Sequence, residues 1–310
     1  MSGYKYLFGP VPSRRLGASL GVSPIPERTC NYSCVYCQLG RTLRMTNTRQ
    51  EFFPLEEILA EFREYLQGSI PFDVVTVVGE GEPTLYSRLG ELIAGLKKET
   101  DKPVAVITNG ALLYDAEMRR ELMEADIVLP SLDAVTEEQY RKIDRPMGSI
   151  GFAEMAEGLR QFAREYQGQL WIEIMLVDGI NDSPEDIAAF KEFLGTIDYA
   201  RVYLNTPVRP PAEGFVHTSA PERIDLAARE LGGISIDQLT SGSFFSEVED
   251  PYEAILSIAR RHPMNQFEVE SFLEAREIPA DQRQALMERL GQDPGITVVP
   301  YKGIITYRVN

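Results

Sequence analysis

Short apolar runs rich in Val and Ile alternate with amphipathic stretches through the first two thirds of the chain. Candidate strands occupy Ala18–Ser23, Asp73–Val78, Val104–Ile107, Ile127–Pro130, Leu170–Leu176 and Arg201–Leu204. Between them, apolar positions three and four apart predict helices over Leu55–Leu66, Leu89–Lys98, Ala116–Glu124, Phe152–Arg164 and Pro184–Leu194. Strands of this composition, each followed by a helix of three to four turns, describe βαβ units and a parallel sheet. Repeated right-handed crossovers curl such a sheet, so the expected fold is α/β, a partial (β/α)6 TIM-like barrel.

After Pro207-Val-Arg-Pro-Pro211 the alternation is expected to stop. A linker follows, with a helix near Pro221–Leu231 and a polar stretch, Thr240–Ser243. From about Asp250 the pattern reads helix (Tyr252–Arg261), helix (Gln266–Ala275), helix (Ala280–Leu290), then strands Ile296–Val299 and Ile304–Val309 around Tyr301-Lys302-Gly303. Three short helices closed by a hairpin make a small α+β, winged-helix-like C-terminal domain. The expected division is 1–215 for the barrel, 216–249 for the linker and 250–310 for the small domain. There is no internal repeat beyond the βα alternation.

Composition narrows the function classes. No apolar run reaches the roughly 18–20 residues of a membrane helix, and the start, Met-Ser-Gly-Tyr-Lys-Tyr, lacks the look of a signal peptide. The expected location is cytoplasmic. The formal charge is −16, which argues against gripping nucleic acid through net charge. That charge is uneven: residues 1–50 hold seven basic groups against Glu27 alone. Residues 251–310 hold seven basic and eight acidic groups, without the excess of a DNA reader, so a substrate-handling or packing role is expected there.

All three cysteines, Cys30, Cys34 and Cys37, fall within eight residues. An odd, clustered number cannot be a complete disulfide framework and reads as a metal loop. A [4Fe–4S] cube wants one external ligand per iron, so three thiolates fix three corners and leave the fourth iron open. A closed zinc site wants a fourth protein ligand. The two histidines, His217 and His262, are distant in sequence and read as surface residues. Tyr36, just before Cys37, is placed to shield a cluster or lie against an adenine, though loop packing alone accounts for it.

The segment Cys30-Asn-Tyr-Ser-Cys34-Val-Tyr-Cys37 closely resembles the CxxxCxΦC motif of the radical S-adenosylmethionine (SAM) superfamily, Φ being aromatic. It follows the first predicted strand, where that superfamily carries it. Val78-Gly-Glu-Gly-Glu-Pro83 is similar to the family's Gly-Gly-Glu-Pro segment, and the resemblance implies that Gly81, Glu82 and Pro83 bind the SAM amino group. Thr108-Asn-Gly110 places Asn109 at the same end, as a site lining or a plain turn. Ser131-Leu-Asp133 resembles the segment that hydrogen-bonds the SAM ribose; a helix N-cap is its other reading. Glu173 lies on an apolar strand, where a carboxylate needs a polar ligand or an arginine. Asn181, and Asn205 with Thr206, complete the expected rim.

Phe8-Gly-Pro-Val-Pro-Ser-Arg-Arg-Leu-Gly17, Gly81-Glu-Pro-Thr-Leu85 and Thr206-Pro-Val-Arg-Pro-Pro211 narrow the resemblance to the group related to wyosine-forming tRNA(Phe) enzymes. Those enzymes carry a second cysteine-held cluster, for which this chain has no cysteines. The resemblance implies that SAM chelates the open iron. An electron from flavodoxin or ferredoxin then splits its C5′–S bond into methionine and a 5′-deoxyadenosyl radical, which takes hydrogen from substrate. Whether the net reaction is that of an oxidoreductase, lyase or transferase stays open. Arg14 and Arg15 are the candidates for holding an anionic substrate group, because guanidinium forks suit phosphate and carboxylate; a surface cap is the alternative. A small anion is the favoured substrate and tRNA the wyosine-type one. An activase of a glycyl-radical enzyme and a non-enzymatic metal-binding regulator remain as rivals.

Overall fold

A computed structural model describes residues 4–68, 70–236, 244–246 and 248–310; the polar Thr240–Ser243 stretch lies outside them. The six expected strands all form, within a sheet wider than the pattern suggested. β1 (Leu7–Ser13) and β2 (Gly17–Val22) make an antiparallel hairpin. β3 (Thr29–Cys30) and β4 (Arg44–Met45) pair in parallel across the cysteine loop. Then come α1 (Leu55–Tyr65), β5 (Val74–Val77), α2 (Leu89–Glu99), β6 (Val104–Thr108), α3 (Ala116–Leu122) and β7 (Ile127–Pro130). They are followed by α4 (Glu137–Ile143), α5 (Phe152–Glu165), β8 (Gln169–Met175), α6 (Pro184–Leu194), β9 (Arg201–Asn205), α7 (Pro221–Leu231) and β10 (Ile234–Ser235).

The eight-stranded sheet runs β1-β2-β5-β6-β7-β8-β9-β10, parallel except at the β1–β2 hairpin. Among the described residues its two ends do not pair with each other, so the barrel is open. Two expectations are corrected here. The alternation continues past residue 211, because β10 adds in parallel to β9 and α7 packs its Ile224, Ala227 and Leu231 into the main core. And a strand, β1, precedes the expected first one. Pro10 and Pro12 disguise it, but an edge strand tolerates proline, and the pairing breaks register between Phe8 and Val11.

Parity along the strands decides what each face carries. Val75, Val77, Val104, Val106, Ile172 and Ile174 point into the core beneath the helices. Their neighbours Val74, Ala105, Ile127, Leu129, Trp171 and Tyr203 form a second apolar cluster on the other face, inside the barrel. Two residues further along the same parity, at the C-terminal ends of the strands, the interior turns polar with Thr76, Glu173 and Asn205. The floor is greasy and the mouth is polar, which places the site.

The tail folds as α8 (Pro251–Ala259), β11 (Met264–Asn265), α9 (Gln266–Ala275), α10 (Ala280–Gln292), β12 (Ile296–Tyr301) and β13 (Ile304–Val309), with β13 between β11 and β12 in a three-stranded sheet. Asp250 caps α8, and Asn265 with Glu268 forms a reciprocal capping box on α9. The apolar core of the tail includes Phe8 and Val11 of β1. The tail is therefore packed on the barrel rim, and Tyr301 Oη donates to the Pro207 carbonyl at 2.9 Å.

Candidate active site

The cysteine loop leaves β3 at Cys30 and is stitched to the segment after α4 by main-chain bonds. Ser33 N donates to Asp144 O (3.0 Å), Val35 N to Ile143 O (2.8 Å) and Met147 N to Asn31 O (2.8 Å). Glu213 clasps the outer side, accepting from Arg41 (2.8 and 2.9 Å) and from Arg145 (2.6 Å). Those two guanidiniums hold its carboxyl below the usual range.

The three thiols are free and line one cavity of about 430 Å³. Tyr32 N donates to Cys30 Sγ (3.3 Å), Asn109 Nδ2 approaches the same sulfur at 3.6 Å, and Cys34 Sγ lies 3.8 Å from Asp144 Oδ1. Burial pushes all three thiols up; at Cys37 the charges of Arg308 and Arg28 pull the other way. A metal is what would bring such thiols to the thiolate form. Among the described residues no three His, Cys, Asp or Glu side chains close on a single ion. Thiols that share a cavity without converging on one point fit a cluster, where each sulfur takes a different iron.

Gly79, Glu80 and Gly81 also line the cavity. A Cβ on Gly81 would lie 1.8 Å from Thr29 O. The glycine is thus needed for the protein's own backbone, which brings this turn against the residue before Cys30. Glu82 is not among the residues that line the cavity, and it is consumed internally: its carboxylate accepts from Thr84 N and Oγ1, Thr108 Oγ1 and Asn109 N at 2.6–3.0 Å. Pro83 opens a single buried 3-10 turn behind it.

Tyr36 lines the cavity, and its hydroxyl donates to Asp133 Oδ2. The other oxygen, Oδ1, accepts from Met175 N at 2.7 Å, and burial raises Asp133 to a pKa of about 6. Asn181, fully buried, donates to Asp133 O and Met175 O and accepts from Val177 N. Its amide is spent on the backbone and does not reach the cavity. Ser131 bridges Glu173 through the main chain. Asn109 spans Asn31 Oδ1 (2.7 Å) and Ala111 N (2.9 Å). These residues and Glu82 form the wall behind the site. Glu173 and Asn205 do reach the cavity. There Glu173 pairs with Arg15 and accepts from Asn205 Nδ2 at 3.3 Å. Burial lowers the Arg15 guanidinium to about 10.

The mouth carries residues that sequence reasoning missed. Arg209 from the segment after β9, and Arg261, His262 and Glu268 from the tail, line the cavity. Arg209 forks onto Glu268 (2.9 and 3.1 Å), and Arg261 pairs with Glu80 at 3.4 Å. His262 corrects an expectation: it is a half-buried cavity residue packed against Phe244, with ring centroids 5.3 Å apart, whereas His217 is exposed. Only the docking of the tail brings it here, and no local pattern announces that. Arg209 alone had a signal, within the Pro207–Pro211 segment.

An open α/β barrel with three thiols on one cavity at the strands' C-terminal ends defines a class, and comparison agrees. Residues 25–191 match the radical SAM superfamily, and the chain belongs to that superfamily: it is an enzyme that uses a [4Fe–4S] cluster and SAM. More particularly, it is 33% identical to a UPF0026 protein of Methanocaldococcus jannaschii, over 98% of this chain and 95% of that one. It is also 43% identical over 205 residues to a Brachyspira hyodysenteriae protein named GTPase Obg, covering 66% of this chain but 30% of that one. Among solved structures, native anSMEcpe with bound AdoMet shares the fold, with a TM-score of 0.53 and 18% identity over 69% of this chain and 59% of that one. No described helix is long and apolar enough to cross a membrane.

Proposed function

We propose that the chain initiates radical chemistry on a small anionic substrate held between the barrel mouth and the tail. The observation that supports this is that one cavity of about 430 Å³ is lined both by the cysteines and by Arg14, Arg15, Arg209 and His262. Cys30, Cys34 and Cys37 would hold the cluster. The carbonyls along Gly79–Gly81 would receive the SAM ammonium, because the Glu82 oxygens are already taken by four donors. Tyr36, fixed by Asp133, would shield the cluster side, which gives Asp133 and Ser131 an orienting role behind the SAM ribose rather than a direct contact. When bound, cluster and SAM supply a 5′-deoxyadenosyl radical that abstracts hydrogen. The tail covers the mouth and keeps water from that radical; its winged-helix-like arrangement is here a lid rather than a DNA reader. Flavodoxin or ferredoxin is the expected electron source.

The test is anaerobic reconstitution followed by dithionite-driven SAM cleavage, with methionine and 5′-deoxyadenosine as the products read. A four-iron protein that binds SAM and never cleaves it would reject the activity. Binding of bulk tRNA over a salt series decides the substrate class, since affinity for duplex falls as roughly the 0.9 power of salt per phosphate contacted. Tight, steeply salt-dependent binding would replace the small anion with the wyosine-type substrate.

A further inference from the structure

The turn Gly79-Glu80-Gly81 carries one side chain, and that side chain reaches out of the barrel. The barrel holds the turn through its main chain. Arg28 N donates to Glu80 O (2.5 Å), Glu82 N to Thr29 O (3.0 Å) and Glu80 N to Ser23 Oγ (3.4 Å). The Glu80 carboxylate instead meets the tail, with Oε2 3.4 Å from Arg261 Nε. The Arg261 and Glu80 side chains are 9% and 11% exposed, so salt and water screen the pair little. Both residues line the cavity that the cysteines share.

Arg261 is itself anchored. Its main-chain N–H donates to Ile258 O at the end of α8 (3.1 Å), and Nη2 donates to Lys5 O (2.8 Å). The guanidinium lies 5.3 Å from the centre of the Phe8 ring, and Phe8 shares the apolar core of the tail with Ile255 and Ile258. The group that meets the glycine turn is therefore fixed at the seam between barrel and tail. Nε has no hydrogen-bond partner, so charge rather than a directional bond joins it to Glu80. Burial pushes the Glu80 carboxyl up, and Arg261 draws it back down.

We propose that Arg261, acting through Glu80, positions the Gly79–Gly81 turn for SAM, so that tail docking and SAM binding strengthen each other. Glycines on both sides leave Glu80 as the turn's one side-chain handle for the tail. Breaking a buried pair leaves an uncompensated charge beside the turn, and a coupling between two sites acts equally in both directions. The proposal rests on the reading above that this turn receives the SAM ammonium, and it adds the tail as the element that sets the turn's position. Arg261 and Glu80 would be positioning residues.

The full chain, reconstituted anaerobically to full iron content, is measured for equilibrium SAM binding and for amide hydrogen exchange with and without saturating SAM. In the wild type, SAM is expected to slow exchange both in peptides spanning Gly79–Gly81 and in α8. Arg261→Gln and Glu80→Gln are each expected to weaken SAM about five-fold or more, the lower end of ordinary coupling between sites, and to abolish the slowing in α8. The double variant is expected to bind SAM no more weakly than the weaker single one, because both changes remove one interaction. Arg261→Lys is expected to recover part of the affinity and Arg261→Met none, which separates charge from packing. Unchanged SAM affinity in both single variants overturns the proposal. So do losses that add in the double variant, or a Glu80→Gln protein that binds SAM more tightly, since Arg261 is then a direct ligand. The wild-type exchange measurement stands even if a variant fails to load iron. Slowing at the turn but not in α8 rejects the coupling and leaves SAM on the turn, whereas slowing at neither rejects both. SAM cleavage by the same wild-type preparation is read separately: slowing in the turn and α8 without cleavage upholds the coupling and rejects the activity.

Discussion

Gly79 and Gly81 look equivalent in Val78-Gly-Glu-Gly-Glu-Pro83, yet their replacement by alanine should differ sharply. At Gly79 an added Cβ meets Gly81 N, Ile25 Cβ and Ser23 Oγ at 3.4 Å, an ordinary contact. At Gly81 it meets Thr29 O at 1.8 Å and Thr29 C at 2.7 Å, both main-chain atoms that cannot swing aside. The two segments must part by roughly 1 Å or more to restore van der Waals distance. That movement strains the main-chain bonds joining them, Glu82 N to Thr29 O (3.0 Å) and Arg28 N to Glu80 O (2.5 Å). Two such bonds at about 1 kcal/mol each, with overpacking of about 1–3 kcal/mol, give an expected loss of about 3–5 kcal/mol for Gly81→Ala. Because Thr29 precedes Cys30, iron loading should fall with stability. Gly79→Ala should stay within about 1 kcal/mol of wild type. Urea denaturation at neutral pH measures the first quantity, and iron per chain after anaerobic reconstitution the second. A Gly81→Ala protein as stable as wild type with full iron, or a Gly79→Ala protein equally damaged, would refute the packing argument.

Cys34→Ala should lose the reductive cleavage of SAM and most of the broad iron–sulfur absorption; retained cleavage would remove the cluster from that loop. Asp133→Asn can keep its amide oxygen on Met175 N and turn its NH2 to donate to Tyr36 Oη, which as a hydroxyl can also accept, so its SAM affinity should stay near wild type, whereas Asp133→Ala should release Tyr36 and weaken SAM. Equal losses in equilibrium binding would instead argue for a direct ribose contact. Glu213, depressed by Arg41 and Arg145, binds fewer protons folded than unfolded near the carboxylate range, so its stabilisation is present above the unfolded pKa and disappears as pH falls through the folded one. Glu213→Gln should therefore be destabilised at pH 7 and converge on wild type under acid; a gap that persists at pH 3 in denaturant melts would contradict the ion-pair origin.

Periodicity and spacing are local properties, and what depends on them was legible in the chain. The β2 and β5–β9 strands declare themselves by short apolar runs, every helix but α4 by apolar spacing, and the cysteine loop by three cysteines within eight residues. β1 escaped because its edge position tolerates Pro10 and Pro12, and β10 because two residues carry no period. Which polar residues face the cavity was decided by folding. Arg15 meets Glu173 across the barrel interior, Glu82 and Asn181 turn their polar atoms onto backbone, and Asp133 spends both oxygens on Tyr36 and Met175. His262 lies 53 residues from Arg209, and the docking of the tail, through the apolar seam with Phe8 and Val11 and polar contacts such as Tyr301 Oη to Pro207 O, places them together. Sequence alone set most of the elements and the cysteine loop, because short-range sterics and hydrophobic spacing act along the chain. The tertiary structure decided which polar residues line the cavity, because hydrogen-bond satisfaction and burial act between segments that no sequence pattern connects.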